Sequence, residues 1–169
     1  KQGVAHLLLT SRRGLDTPGA TEFAKELEAL GAQVSIASAD ITQQQELGPI
    51  LSRLGDKLPL KGVIHTAGIL DDGVLADLNL NRMRAVMDPK VMGAWNLHEL
   101  TQEMELDCFV LFSSISGVMG AAGQGNYAAA NVGLDALAQY RKSRGYAATS
   151  IAWGPWAQSG MAAELSSSD

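Results

Sequence analysis

The sequence is poor in several of the features that would assign it to a common class. One of its 169 residues is a cysteine. That residue, Cys108, lies inside the apolar run "DCFVLFSS", which excludes a disulfide framework and any cysteine cluster of metal-binding spacing. No apolar run reaches the roughly 18 residues of a membrane-spanning helix. The N-terminal "KQGVAHLLLTSRRG" is too short in its apolar part, and wrongly flanked, to be a secretion signal. Positive charge is scarce and unclustered. Thirteen Lys and Arg stand against eighteen Asp and Glu, for a formal net charge of −5, so no basic block is available to neutralise a row of phosphates. Nucleic acid, membrane and metal are therefore not expected partners, and a soluble cytoplasmic setting is expected. Internal repeats and low-complexity tracts are also missing; only the "SSSD" tail reads as a frayed end.

A hydrophobic content of 46% in a chain of this length suits one globular domain with a real core. Strand-length apolar runs alternate with longer stretches of helical periodicity. The run 4–11 precedes a helix over 20–31, on which Ala20, Phe23, Ala24, Leu27 and Leu30 share a face that ends at Gly31. The run 33–40 precedes a helix over 43–55, and 62–68 precedes a long helical region from about 81 to 104. The run 108–114 precedes a helix over 125–145, and a fifth strand follows at 148–154. Strict alternation with strands apolar on both faces predicts an α/β fold with a doubly wound parallel sheet.

One absence bears on the cofactor. A dinucleotide-binding sheet carries a G-x-G-x-x-G turn after its first strand, and no such turn follows 4–11. "KQG" reads as the tail of a helix capped by Gly3, so the chain starts in the middle of a βαβ unit. Residues 1–169 are therefore expected to be part of a single larger domain whose first strand and glycine-rich loop are not in this chain.

The chemistry-bearing residues gather late in the sequence. Tyr127 and Asn131 are four apart in "GQGNYAAANVG" and fall on one helical face. Taken alone they are most simply a packed tyrosine and a surface amide. Ser113 and Ser114 end the preceding strand, and in open α/β sheets ligands bind at the carboxyl ends of strands. Between them and the tyrosine, "ISGVMGAAGQGN" holds four glycines that let backbone approach a ligand. A tyrosine acts as a general acid at neutral pH with a nearby cation that favours its ionised form. Lys90, in the first turn after Pro89, opposes the helix dipole there; in isolation it also fits an ordinary solvated lysine.

"FSSISGVMGAAGQGNYAAANVGLDALAQYRKSRG", with "GVIHTAGILDDGVL" and "SIAWGPW", resembles the ketoreductase domain of modular polyketide synthases and related fatty acid synthases, within the short-chain dehydrogenase/reductase superfamily. Lys90 to Ser114 is 24 residues, Ser114 to Tyr127 is 13, and Tyr127 to Asn131 is 4. Most of the superfamily places lysine four after the tyrosine. These ketoreductases exchange that lysine with an asparagine from the preceding helix, as Asn131 and Lys90 do here.

The resemblance implies a Rossmann-like fold and NADPH-dependent reduction of a β-ketoacyl thioester carried on the phosphopantetheine of an acyl carrier protein, beside other domains of one synthase. Tyr127 would donate a proton to the substrate carbonyl oxygen and Ser114 would hydrogen-bond it. Lys90 would favour the tyrosine's ionised form and hold the cofactor ribose, and Asn131 would order the lysine or a relay water. The flanking alanines would leave clearance for nicotinamide and acyl chain.

Arg12 and Arg13 in "TSRRG" suit a ribose 2′-phosphate, although a solvated turn gives the same pattern. Asp40 and Ile41 in "ASADIT" match the adenine contact, with helix N-capping by Asp40, reinforced by Thr42, as the other reading. "HTAG" resembles the family's N-A-G segment, which would put the backbone of Ala67 and Gly68 beside the adenine ribose; Thr66 replaces the family's asparagine, and His65 is read as a core histidine. Leu70, Asp71 and Asp72 match the motif of ketoreductases that yield a D-configured hydroxyl. The opposite class has tryptophan where this chain has Met119, and Gln124 joins this substrate-facing set. "WGPWAQSGMA" resembles the segment leading into a lid. In the family's strand order, 3-2-1-4-5-6-7, the missing first strand lies between 4–11 and 62–68. Other readings are a free-standing reductase of a small ketone, against which the Lys90 and Asn131 exchange argues, and a non-catalytic ketoreductase-like brace.

Overall fold

The structure, a computed structural model, describes residues 3–54 and 58–156. Lys1, Gln2, Gly55 and the 157–169 stretch, with most of the expected lid segment and the "SSSD" tail, lie outside the described residues. The chain divides into two compact units, Lys1–Leu60 and Lys61–Asp169. The Rossmann-like α/β pattern holds: strands and helices alternate, and every strand pair is parallel. The strands form two separate sheets, one of two strands and one of three.

In the first unit, β1 (His6–Ser11) pairs with β2 (Gln33–Ser38), His6 opposite Gln33 and Ser11 opposite Ser38. The crossover is α1 (Ala20–Ala29), and α2 (Gln44–Ser52) follows β2. Leu47 and Leu51 of α2 are buried. The apolar stripe expected on α1 is only partly covered: Ala24 and Leu27 are half-buried, but Phe23 and Leu30 are exposed. A two-stranded sheet is too narrow to cover the full width of that stripe. Asp40 is not the cap of α2, because Gln43 holds that position. Its carboxylate instead accepts from the Thr42 backbone N–H at 2.9 Å and the Thr42 hydroxyl at 2.8 Å, closing a local turn two residues on.

In the second unit, β3 (Gly62–His65), β4 (Cys108–Ser114) and β5 (Thr149–Trp153) lie in the order β3-β4-β5. The helical region expected as one piece over 81–104 is three: α3 (Leu80–Met87), a π-helical turn (Asp88–Met92) and α4 (Gly93–Thr101). Asn79 caps α3, its side chain accepting from the backbone N–H groups of Asn81 and Arg82. Pro89 has no N–H and its ring crowds the carbonyl four residues back, so the helix widens at that point. A one-turn helix, α5 (Ser116–Met119), interrupts the glycine-rich loop expected to be irregular.

The long helix α6 (Gly125–Ser143) buries Tyr127, Ala130, Asn131, Leu134, Leu137, Ala138 and Arg141. Their three- and four-residue spacing is one face of an α-helix, and full burial of a leucine such as Leu134 contributes about 2 kcal/mol. Among the described residues no helix is long and apolar enough to cross a membrane.

Candidate active site

The carboxyl ends of β4 and β5 open into a cavity of about 360 Å³, within the range of small-molecule sites. Lys90, Ser114, Tyr127, Leu70 and Gln124 all line it, so five of the residues singled out in the sequence meet in one place. Parallel strands bring this about: Ser114 is the last residue of β4, opposite Trp153 at the end of β5. The first turn of α6 then carries Tyr127 to the same rim.

Lys90 is buried rather than solvated, at 2% exposure. It sits in the π-helical turn inside a continuous helical run, not in the first turn of a helix. Its ammonium donates to the Phe112 carbonyl at 3.0 Å and stands 5.2 Å from the centroid of the Tyr127 ring. No carboxylate among the described residues pairs with it, and burial lowers its pKa from 10.5 to about 8. Gly68 lies against its stem: a Cβ there would be 3.4 Å from Cγ, Cδ and Nζ of the lysine. Below it, buried His65 is within 2.9 Å of the Lys90 carbonyl through Nε2, consistent with a core histidine, and burial holds that imidazole down to a pKa of about 4.

Tyr127 is 9% exposed, and its hydroxyl has no hydrogen-bond partner among the described residues. Ser114 accepts a hydrogen bond from the Ser116 backbone N–H at 3.2 Å. The carbonyl of Asn131 receives the Ser113 hydroxyl at 3.2 Å. The Asn131 side chain donates to the Tyr127 carbonyl at 2.8 Å, while its buried Oδ1 has no hydrogen-bond partner among the described residues. The lysine's acceptor is thus Phe112 and not Asn131. None of Ala128, Ala129 and Ala130 lines the cavity; Ala130, fully buried, packs with Val86 and Tyr127, while Ala128 is half-buried and Ala129 exposed.

Beside the cavity, the 70–73 turn is fixed by Gln124 together with two residues that sequence reasoning missed, Arg82 and Asn126. Arg82 donates through Nε and Nη2 to the Asp71 carboxylate, the shortest contact being 2.7 Å, and through Nη2 to the Asp72 carbonyl at 2.7 Å. Asn126 donates to the Asp71 carbonyl at 2.8 Å, and Gln124 to the Asp72 carboxylate at 2.9 Å. The arginine beside it holds the Asp71 carboxyl below its ordinary range. A signal was present: an arginine in the first turn of a helix opposes the dipole and calls for a nearby anion. Met119, at 80% exposure, does not line the cavity; neither do Asp71, Asp72, Ala67 or Gly68.

In the first unit, Arg12 and Arg13 are exposed just after β1, and Asp40 and Ile41 are half-buried beyond the end of β2. The Ser38 hydroxyl donates to the Arg12 carbonyl at 2.8 Å. Two hydrogen bonds from Thr42, and then the charge of Arg12, depress the Asp40 pKa. Both pairs follow the carboxyl ends of parallel strands, as ligand-binding residues of open α/β sheets do.

A family model described as KR domain matches residues 1–158. The chain is 50% identical, over 99% of its length, to the phenolphthiocerol synthesis polyketide synthase type I Pks15/1 of Mycobacterium marinum (strain ATCC BAA-535 / M), of which it covers 8%. To the polyketide synthase GfsA of Streptomyces halstedii it is 48% identical over 99% of its length, covering 2% of that protein. Among solved structures, one described as that of A-type ketoreductases from a modular polyketide synthase superimposes with a TM-score of 0.90 at 51% identity, over 94% of this chain and 34% of that one. The chain therefore spans a small part of the synthases and about a third of the solved domain.

Proposed function

The chain belongs to the KR domain family of polyketide synthases, and we propose that it carries the catalytic residues of an NADPH-dependent reductase of β-ketoacyl thioesters. The observation that carries this reading is the convergence of Lys90, Ser114 and Tyr127 on one cavity, with the tyrosine hydroxyl uncommitted. The residues present fit a nicotinamide cofactor: a buried ammonium without a carboxylate partner and the orphaned Oδ1 of Asn131 await polar groups. In the first unit, Arg12 and Arg13 suit a 2′-phosphate and Asp40 and Ile41 the adenine; in the second unit, Ala67 and Gly68 suit the adenine ribose.

When bound, the cofactor supplies the hydride that the substrate's carbonyl carbon accepts. Tyr127 Oη gives its proton to the carbonyl oxygen, and Ser114 Oγ donates a hydrogen bond to that oxygen as charge builds on it, a contribution of about 3 kcal/mol. The Lys90 ammonium would favour the ionised phenol left behind and hold the cofactor ribose. Asn131 holds the helix turn under Tyr127 and offers Oδ1 to a relay water.

The substrate is a β-ketoacyl group on the phosphopantetheine of an acyl carrier protein, within a synthase of several domains. The domain functions in the cytoplasm, and residues 1–169 form part of one NADP-binding domain. The two separate sheets and the coverage of a third of the solved domain support that last point. Leu70, Asp71 and Asp72, with Met119 in place of tryptophan, favour a D-configured hydroxyl. The test is to supply the intact domain with NADPH and a β-ketoacyl thioester. Stoichiometric NADPH consumption with a D-hydroxyacyl product supports the reading; no consumption, or use of NADH alone, contradicts it.

A further inference from the structure

Arg82 makes more contacts with the 70–73 turn than an ordinary surface ion pair. One guanidinium holds the Asp71 carboxylate through Nε and Nη2, the Asp71 carbonyl at 3.3 Å and the Asp72 carbonyl at 2.7 Å, and Nη1 reaches the Asp77 carbonyl at 3.5 Å. A planar, multiply donating cation in such a position sets geometry more than it adds stability.

The next residue in the turn is shaped to admit it. A Cβ on Gly73 would lie 2.5 Å from Nη1 and 2.7 Å from Nη2 of Arg82, so a side chain there would push the guanidinium out of this position. Gly73 in turn donates its backbone N–H to the Gly123 carbonyl at 2.7 Å and forms an isolated parallel bridge with Gln124. The clamp thus ties the 70–73 turn to the segment that enters α6 one turn before Tyr127. Leu70 and Gln124, one from each side of this junction, both line the cavity.

We propose that Arg82 is a positioning residue that locks the 70–73 turn against the 123–126 segment, and so fixes the cavity wall that selects which face of the substrate carbonyl is reduced. This rests on the reductase reading above. Loss of the clamp frees Leu70 and Gln124 to shift relative to Tyr127, and the wall then admits both faces of the ketone.

The test compares the intact domain with Arg82→Gln, Arg82→Lys and Gly73→Ala, the last displacing the guanidinium without touching its charge. Two readouts are taken: amide hydrogen exchange at Gly73, whose N–H bridges the junction, and the D:L ratio of product from a β-ketoacyl N-acetylcysteamine thioester. The expected result is faster exchange of the position-73 amide, corrected for intrinsic rate, in Arg82→Gln and Gly73→Ala and a D:L ratio reduced by about tenfold, the scale of one pocket contact, with partial recovery in Arg82→Lys. Unchanged exchange in the two disrupting variants, or a ratio within twofold of the parent while exchange rises, overturns the proposal. A parent domain that yields no alcohol contradicts the reductase reading instead, and exchange at Gly73 then decides the clamp alone.

Discussion

The Lys90 ammonium stands 5.2 Å from the centre of the Tyr127 ring and is anchored to the Phe112 carbonyl at 3.0 Å, with no carboxylate among the described residues to neutralise it. A buried cation beside an uncommitted phenol is costly to fold around. Its retention is understandable if the charge acts on the phenol.

That cost sets a first prediction. Burial lowers the Lys90 pKa to about 8 from 10.5, so between these values the unfolded chain binds the proton that the folded chain has released. Stability therefore rises with pH across that window, by up to about 1.4 kcal/mol per pH unit. Over the same range kcat/KM, which reports the free enzyme, falls as the ammonium is lost. Denaturant titrations of the intact domain and of Lys90→Met check this: the variant should lose that pH-dependent gain, and an identical slope in both would refute the assignment.

His65 yields a second window of the same sign at lower pH. Burial depresses its pKa to about 4 from 6.5, so the stability contributed by the neutral ring is complete above 6.5 and is lost as pH falls toward 4. Because Nε2 meets the Lys90 carbonyl at 2.9 Å and a carbonyl only accepts, the neutral ring bears its hydrogen on Nε2 and donates it there. His65→Gln keeps a donor without a titrating ring, and the difference between parent and variant unfolding free energies should change between pH 6.5 and 4 and be flat above it.

A third prediction concerns the core of the larger unit. Arg141 is 1% exposed, with its guanidinium 3.8 Å from the Phe109 ring centre, donating to the Ala147 carbonyl and to Nδ1 of His98. Arg141→Met keeps most of the packing but leaves the His98 nitrogen and the Ala147 carbonyl unpaired, at a cost of about 2–4 kcal/mol. Arg141→Lys should recover little, since an ammonium cannot stack and bridge in that plane. Thermal unfolding of the two variants measures both effects.

The parallel alternation of strands and helices and the long α6 were legible because periodicity and strand-end position encode them directly, whereas strand order and the meeting of Lys90, Ser114 and Tyr127 followed from the family resemblance. The burial of Lys90 was not, since it depends on Pro89 widening the helix into a π turn and on Gly68 lying against the lysine stem. Ala130 reads as open space in sequence and is close packing in three dimensions. The Arg82 clamp joins residues eleven apart through a turn without periodicity, so only the unfavourable dipole position of the arginine hinted at it. The exposed Phe23 and Leu30 show the converse: a correct helical stripe does not say what covers it.

The most direct test of the central claim is Tyr127→Phe in the intact domain, measuring NADPH affinity by fluorescence and NADPH oxidation with a β-ketoacyl thioester. Removing one hydroxyl from a 9% exposed ring should leave the fold and NADPH binding within a few-fold of the parent while turnover falls by about 10²–10⁴-fold, the share of a general acid. Turnover within tenfold of the parent, with NADPH still bound, would contradict the assignment of Tyr127 as the proton donor.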